Sequence, residues 1–181
     1  MNRGADYPLP LDGEAVLAAD GVLNAPSAHW AHFAGVDEHT NVGYWFPQPA
    51  TVNLQREART GSWYAISQPY NPKEPITRSY FTLWLDHGKS PKDTTYAYVL
   101  LPGRDAAATA AFAAAPGVEI LANTPQVQAA RNTKEGVTGF SFWEAAGPVA
   151  GVSADAPASV IVHETPETIT VGVSDPTHLN T

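Results

Sequence analysis

Two segments near the middle of the chain are apolar on both faces if they form β-strands. They are Arg78–Asp86 and Thr94–Leu101, and the polar run His87–Asp93 separates them. Side chains alternate between the two faces of a strand, so a strand with one wet face alternates apolar and polar residues. These segments instead carry large apolar side chains at positions of both parities. We therefore predict two antiparallel strands, joined by a polar turn, in the middle of a layered β-structure.

The rest of the composition favours the same fold class. The 181 residues include 16 prolines and 14 glycines, which predicts many turns and few long helices. The alanine-rich stretch Asp105–Ala115 is the exception, because alanine is the best helix former and Asp105 suits the N-cap. Pro116 and Gly117 then supply a stop. The sequence thus predicts an all-β protein with one short helix.

Shorter segments on either side of this helix have the composition of strands. They are Ala15–Leu23, His29–Phe33, Val42–Phe46, Thr51–Arg56 and Ser62–Ile66 before it, and Val118–Leu121, Gly139–Glu144, Ser159–Glu164 and Ile169–Val173 after it. The proline-rich stretch Pro69–Pro75 is predicted to be a loop, and Pro125–Arg131 a helical turn. The composition changes once along the chain, at the alanine-rich helix. We therefore predict two domains, residues 1–117 and 118–181.

Charge and missing residue types exclude several classes of protein. Ten basic against 18 acidic residues give a formal charge of −8, which opposes binding along nucleic-acid phosphates. The absence of cysteine excludes disulfides, thiolate metal sites and cysteine nucleophiles. No stretch approaches the ~20 apolar residues of a membrane helix, and Met1–Pro10 lacks the apolar core of an export signal. No phosphate loop or dinucleotide motif occurs, so we expect no nucleic acid, membrane or cofactor as partner.

Three histidines in one region could be metal ligands, but their spacing argues against a shared site. His29 and His32 have an odd separation, so a strand places them on opposite faces. His39 has no nearby acidic spacing that would complete a ligand set. Solvated or hydrogen-bonded histidines are the better interpretation, and we expect no metal site.

The segment Arg56–Trp63 carries the most candidate binding groups, with the sequence Arg-Glu-Ala-Arg-Thr-Gly-Ser-Trp. A guanidinium group grips a carboxylate bidentately, and an indole ring stacks on the apolar face of a sugar. Arg56, Arg59 and Trp63 could therefore form a subsite for a sugar acid. Alternatively, the arginines brace a tight turn and Trp63 packs in the core. The residues alone leave both interpretations open.

Several motifs occur in an order that resembles a known family. They are Asn41–Pro47, Arg56–Trp63, Leu83–Gly88 and Tyr96–Pro102, followed by Val118–Arg131. Together they resemble the C-terminal β portion of polysaccharide lyase family 8, which includes hyaluronate, chondroitin AC and xanthan lyases. The resemblance runs from about residue 14 to the end of the sequence.

The resemblance implies an architecture for the chain. Members of this family have an N-terminal α/α toroid, a large β super-sandwich and a small C-terminal β-sandwich. Residues 1–117 would then be the C-terminal part of the super-sandwich, and residues 118–181 the small β-sandwich. The super-sandwich strands that precede Ala15 in the family would be missing, which exposes sheet edges and predicts self-association through them.

The resemblance also implies a chemistry, the cleavage of uronic-acid polysaccharides by β-elimination. In the family an asparagine neutralises the substrate carboxylate, while a tyrosine and a histidine remove and donate protons. These groups lie on the toroid, so the resemblance assigns no catalytic residue to this chain. In some xanthan-acting members an arginine of the β region reaches the substrate. The resemblance therefore implies Arg56 and Arg59, with Trp63, as substrate contacts.

These implications give two expectations of different kinds. The first is a non-catalytic β scaffold that contributes to a cleft for an acidic polysaccharide (hyaluronan, chondroitin or xanthan) only when a helical toroid is present. The family resemblance places such a protein outside the cell. The alternative is a free-standing carbohydrate-binding or structural β-module.

Overall fold

The computed structural model describes residues 9–35, 37–68 and 72–177. The chain divides into two compact units between Ala115 and Pro116. Both are built mainly from antiparallel β-sheet, which confirms the predicted all-β class. Within the described residues, neither helix has the length and apolar character that a bilayer-spanning segment needs.

The described residues of the first unit form six strands and two helices. The strands are β1 (Leu9–Leu11), β2 (Glu14–Val16), β3 (Gly21–Phe33), β4 (Val42–Gly61), β5 (Ile76–Leu85) and β6 (Val99–Pro102). The helices are α1 (Trp63–Ile66) and α2 (Ala106–Ala114), and a 3-10 turn covers Glu38–Thr40. The predicted alanine-rich helix is confirmed as α2, where the Asp105 carboxylate accepts the amide of Ala108 at 2.7 Å.

The 20-residue strand β4 organises the first sheet, whose order is β2-β1-β3-β4-β5, with β6 also paired to β4. Its first half pairs with β6 over Val42–Trp45, and its second half pairs with β5 over Val52–Gly61. The pairing with β3 shifts register between Ala25 and Trp30. This irregularity lets the sheet bend, because a bulge locally increases twist and bends a strand.

The bend brings the two halves of the sheet together around one apolar cluster. Phe33 and Phe46 come from one half, and Val52, Leu54 and Phe81 come from the other. The rings of Phe33 and Phe81 pack with their centroids 5.5 Å apart. The opposite face of the first half is covered by α2, where Phe112 meets Trp45 edge-on at 5.7 Å.

Up to residue 177, where the described part ends, the second unit forms seven strands in two sheets. They are β7 (Val118–Asn123), β8 (Val127–Asn132), β9 (Val137–Phe142), β10 (Ala146–Val149), β11 (Val152–Ala154), β12 (Ala158–Glu164) and β13 (Ile169–Ser174). Five form a sheet in the order β13-β12-β9-β8-β7, while β10 and β11 pair separately. Val127, Phe140, Phe142 and Val162 line the inner face of the larger sheet. Residues from both sheets share this core, as in a β-sandwich.

The predicted pairing of the two central segments is wrong. Arg78–Asp86 does lie in a strand, β5, but β5 pairs with β4 and not with Thr94–Leu101. Of the latter segment only residues from Val99 onward form a strand, and they also pair with β4. The physical reason is the length of β4, which offers two successive pairing sites along one edge.

Two local predictions are also wrong. Ser62–Ile66 was expected to be a strand and forms the single turn α1, because the Ser62 hydroxyl caps the amide of Ala65. Pro125–Arg131 was expected to turn helically, whereas Val127 begins strand β8 between two partners. Of the predicted loop Pro69–Pro75, residues 69–71 lie outside the described part, and 72–75 contain neither helix nor strand.

Candidate functional site

Arg56 acts as a brace between β4 and the turn that precedes β3. Its side chain is only 11 % exposed, and its guanidinium donates to the carbonyl oxygens of Leu17 at 3.2 Å and Ala18 at 2.6 Å. The carboxylate of Asp20 lies 3.7 Å from Nε, and the Phe81 ring lies beneath the guanidinium at 5.8 Å. These contacts match the bracing alternative for this arginine, which lies within β4 as the predicted strand Thr51–Arg56 required.

Arg59 occupies the opposite face of β4 and remains accessible. The odd spacing of the two arginines puts their side chains on opposite faces of the strand. The Arg59 guanidinium pairs with the carboxylate of Glu57, lies 5.5 Å above the Tyr80 ring, and is 3.4 Å from the Thr82 hydroxyl. Its side chain is 46 % exposed, so it can still meet a ligand.

Trp63 lies beyond the end of β4, at the first position of α1, and is 53 % exposed. Its indole is therefore not the core residue that the structural alternative expected. The neighbouring Tyr64 has a cationic partner, the ammonium group of Lys73 at 4.8 Å from its ring centroid. The sequence pattern thus placed three candidates in one segment, and the fold directs Arg56, Arg59 and Trp63 into three different environments.

A cavity of about 580 Å³ lies beside Arg59 and is lined by residues from both halves of the bent sheet. We call it the Arg59 cavity. Its walls are Phe33, Thr40, Val42, Tyr44, Arg59, Tyr80, Phe81, Thr82 and Leu83. It combines a cation with tyrosine and threonine hydroxyls over an apolar floor, a composition typical of ligand sites of this size.

A second cavity of about 320 Å³ adjoins the first, because Tyr44 and Leu83 line both. We call it the tyrosine cavity. Its walls are Tyr44, Phe46, Leu83, Trp84, Leu85, His87, Tyr96 and Tyr98. Burial, and then the neighbouring Tyr98, raise the pKa of Tyr44, so its hydroxyl stays protonated. Sequence analysis assigned Tyr96 and Tyr98 to a covered strand and missed this cavity.

The histidines are separated as their spacing predicts. The side chain of His29 is 60 % exposed beside Asp12, whereas His32 is 4 % exposed and its Nε2 lies 3.1 Å from the carbonyl oxygen of Arg104. Burial lowers the pKa of His32 more than that hydrogen bond and nearby Asp105 raise it, so the imidazole is neutral. Within the described residues, no three histidine or carboxylate groups converge as a metal site requires.

The walls of the two cavities present several kinds of polar group to a ligand. Their walls offer a guanidinium, an imidazole and several tyrosine hydroxyls. No asparagine or glutamine is among the described residues that line them. A β-elimination site needs a base, an acid and a group that neutralises the carboxylate together in one place.

Comparison with known proteins now decides the family. The model of the polysaccharide lyase family 8 super-sandwich domain matches residues 2–113, and that of the family's C-terminal β-sandwich domain matches residues 119–181. The chain belongs to polysaccharide lyase family 8. The resemblance inferred from the ordered motifs is confirmed, and so is the succession of a super-sandwich part and a small β-sandwich.

Individual relatives in this family support the assignment. The chain is 37 % identical to a xanthan lyase of Bacillus sp. (strain GL1) over 185 residues, which cover 99 % of this chain and 20 % of that protein. It is 39 % identical to a hyaluronate lyase of Thermasporomyces composti over 155 residues, covering 85 % and 19 %. The chain therefore spans about a fifth of the length of the curated relatives it matches.

Solved structures agree with the sequence relatives. A Paenibacillus xanthan lyase superposes with a TM-score of 0.91 at 36 % identity, covering 99 % of this chain and 18 % of that one. A Streptomyces coelicolor A3 chondroitin AC lyase in complex with chondroitin sulphate superposes with a TM-score of 0.73 at 34 % identity, covering 94 % and 22 %. These relatives act on different acidic polysaccharides, so similarity alone does not select one of them.

Proposed function

We propose that this chain is a β scaffold of a family 8 lyase that contributes to the binding of an acidic polysaccharide and performs no β-elimination alone. The observation that carries this proposal is the Arg59 cavity in a chain that belongs to the family. A helical toroid would complete the cleft, and the family's place of action supports an extracellular site. The substrate class follows from relatives that are named as xanthan, hyaluronate and chondroitin lyases.

The charge distribution requires any such binding to be local. The chain carries a net charge of −8, so long-range attraction does not draw a polyanion to it. Arg59 supplies a cation at the cavity wall, and the Tyr80 ring and Thr82 hydroxyl hold it in place. Glu57 neutralises this cation in the free protein, so a substrate carboxylate must compete with it.

The lack of catalysis is tested directly with the isolated chain. We expect no formation of unsaturated uronate, measured by its ultraviolet absorbance, on hyaluronan, chondroitin or xanthan. The reason is that the family resemblance places the asparagine, tyrosine and histidine of the reaction on a helical toroid, and the described residues contain only the short helices α1 and α2. Robust turnover by the isolated chain would overturn the proposal.

Binding is tested by two substitutions that are expected to change the affinity in opposite directions. Arg59→Ala is expected to weaken binding of acidic oligosaccharides by about 10–100-fold, because a charge-assisted hydrogen bond is lost. Glu57→Gln is expected to strengthen it, because the competing carboxylate becomes neutral. Arg104→Ala removes the same charge at an exposed position near His32 and is the matched control. Calorimetry with hyaluronan and xanthan fragments measures all three, and equal affinities for wild type and Arg59→Ala contradict the contact.

The open edge of β5 gives a further prediction about partners. Within the described residues β5 ends the sheet, and an edge strand offers unpaired backbone groups to another chain. We expect self-association that increases with concentration, measured by light scattering. Lysines on an edge oppose such pairing, so Ile76→Lys with Thr77→Lys, both exposed on β5, should shift the protein toward monomer. A wild-type protein that stays monomeric at high concentration would contradict this prediction.

A further inference from the structure

We propose that the tyrosine cavity is a second subsite, which binds an uncharged pyranose ring by stacking on Tyr96 and Tyr98. This inference rests on the proposed function, since it names the sugar unit that would lie beside the acidic one at Arg59. The stacking subsite uses other residues than the Arg59 contact does, and it depends on aromatic stacking and not on charge. The two can therefore be tested separately.

The first argument is the exposure of the two tyrosine rings. Tyr96 is 61 % exposed and Tyr98 is 47 % exposed, and both lie in the segment that connects β5 to β6. Their rings are nearly parallel, at 14°, with centroids 6.2 Å apart. The two rings form an offset stacked pair, and because each keeps about half of its surface or more exposed, part of the aromatic surface of the pair stays open to the apolar face of a pyranose.

The second argument is that the rings are fixed before a ligand arrives. The His87 ring lies 5.8 Å from Tyr96, and the Tyr44 ring lies 6.3 Å from Tyr98. Tyr44 in turn contacts Phe33 at 5.2 Å, which connects the platform to the core. A preorganised surface loses less side-chain entropy on binding than a mobile one.

The third argument is the chemistry of the walls, which selects a neutral sugar. Among the described residues that line the tyrosine cavity are aromatic rings, hydroxyls and an imidazole, but no arginine, lysine, aspartate or glutamate. Tyrosine hydroxyls and the imidazole can exchange hydrogen bonds with sugar hydroxyls. The volume of about 320 Å³ lies at the lower end of the range for small-ligand sites, consistent with one or two sugar units.

The fourth argument is adjacency. The Arg59 cavity and the tyrosine cavity share Tyr44 and Leu83. A single glycan chain can therefore place an acidic unit at Arg59 and a neutral unit on the tyrosines. Polysaccharides in which acidic and neutral sugars occur together are the chemical class that satisfies both cavities.

The test compares a neutral and an acidic probe on the same set of variants. Cello-oligosaccharides serve as the neutral probe and hyaluronan oligosaccharides as the acidic one. Binding is followed by saturation-transfer NMR and by the change in intrinsic tryptophan fluorescence on adding the probe, to which Trp84 in the cavity wall contributes. Tyr96→Ala and Tyr98→Ala are each expected to weaken binding of both probes about tenfold. Tyr98→Phe keeps the ring and should retain most of the affinity. Trp143→Ala removes an aromatic ring of similar exposure in the second unit and is the control.

The outcomes separate the two proposals. If the tyrosine variants bind both probes like wild type while Arg59→Ala loses the acidic probe, the stacking subsite is overturned and the proposed function stands. If the tyrosine variants lose both probes while Arg59→Ala keeps the acidic one, the subsite stands and the arginine contact fails. If the wild type binds neither probe, both are overturned. Raising the salt concentration should weaken only the contribution of Arg59, because stacking of a neutral ring is not screened.

Discussion

Replacing Phe142 with alanine is expected to lower the free energy of unfolding of residues 116–181 by about 3–5 kcal/mol and to leave the first unit folded. Phe142 is 2 % exposed, and its ring packs parallel to that of Phe140 with centroids 5.8 Å apart. Its removal leaves a cavity in the core that the five-stranded sheet shares with β10 and β11. A domain of about 60 residues has little stability in reserve, so a loss of this size unfolds most of the population.

The matched substitution in the first unit is Phe46→Ala. Phe46 is also 2 % exposed, and it lies in the cluster formed by the two halves of the bent sheet. We expect a similar loss of stability, confined to the first unit. Native-state hydrogen exchange, resolved along the sequence, measures protection on each side of Ala115. Our proposed domains, residues 1–117 and 118–181, require each variant to lose protection on its own side only, and equal losses on both sides would contradict them.

Strand and helix segments were predictable where short-range rules decide the outcome. The alternation of buried Phe140 and Phe142 with outward-facing Gly139 and Ser141 has the period of a strand and nothing else. Helix α2 combines a run of alanines with the N-cap Asp105, both local features. These two elements can be predicted from their own residues, without knowing which element each one packs against.

Pairing was not predictable, because it depends on distant residues. The apolar pattern of β5 indicates that it is covered, but not that its partner is the second half of β4. The same limit explains α1: Ser62 had two open possibilities, strand or cap, and a hydrogen bond to Ala65 decided between them. The order of the family motifs supplied the architecture that periodicity alone could not.

In the candidate site, too, some features were predictable from local sequence and others depend on the folded chain. The odd spacing of Arg56 and Arg59 would have placed them on opposite faces, had the segment been identified as strand and not as turn. Tyr96 and Tyr98 alternate with small residues, a pattern equally compatible with a covered strand and with an exposed aromatic platform. Only their exposure in the folded chain distinguishes the two.

Gly43→Ala is expected to cost about 2–3 kcal/mol of stability, because helix α2 packs directly against the backbone of β4 at this position. A Cβ added to Gly43 would lie 2.3 Å from Oγ1, 2.8 Å from Cγ2 and 3.1 Å from Cβ of Thr109. Thr109 is fully buried, and its hydroxyl donates to the carbonyl oxygen of Asp105 at 2.8 Å. Rotating the Thr109 side chain away from the new methyl group would break that hydrogen bond. The clash can therefore be removed only at a cost in stability.

A double-mutant cycle with Thr109→Ala isolates this contact, since the second substitution removes both of the closest atoms. We expect Gly43→Ala to cost much less in the Thr109→Ala background, with a coupling of about 2 kcal/mol measured by urea unfolding. Gly61→Ala on the same strand is the control, because nothing lies within 4 Å of its added Cβ and its effect should stay within about 0.5 kcal/mol. An equal cost of Gly43→Ala in both backgrounds would show that α2 does not set the requirement for glycine in β4.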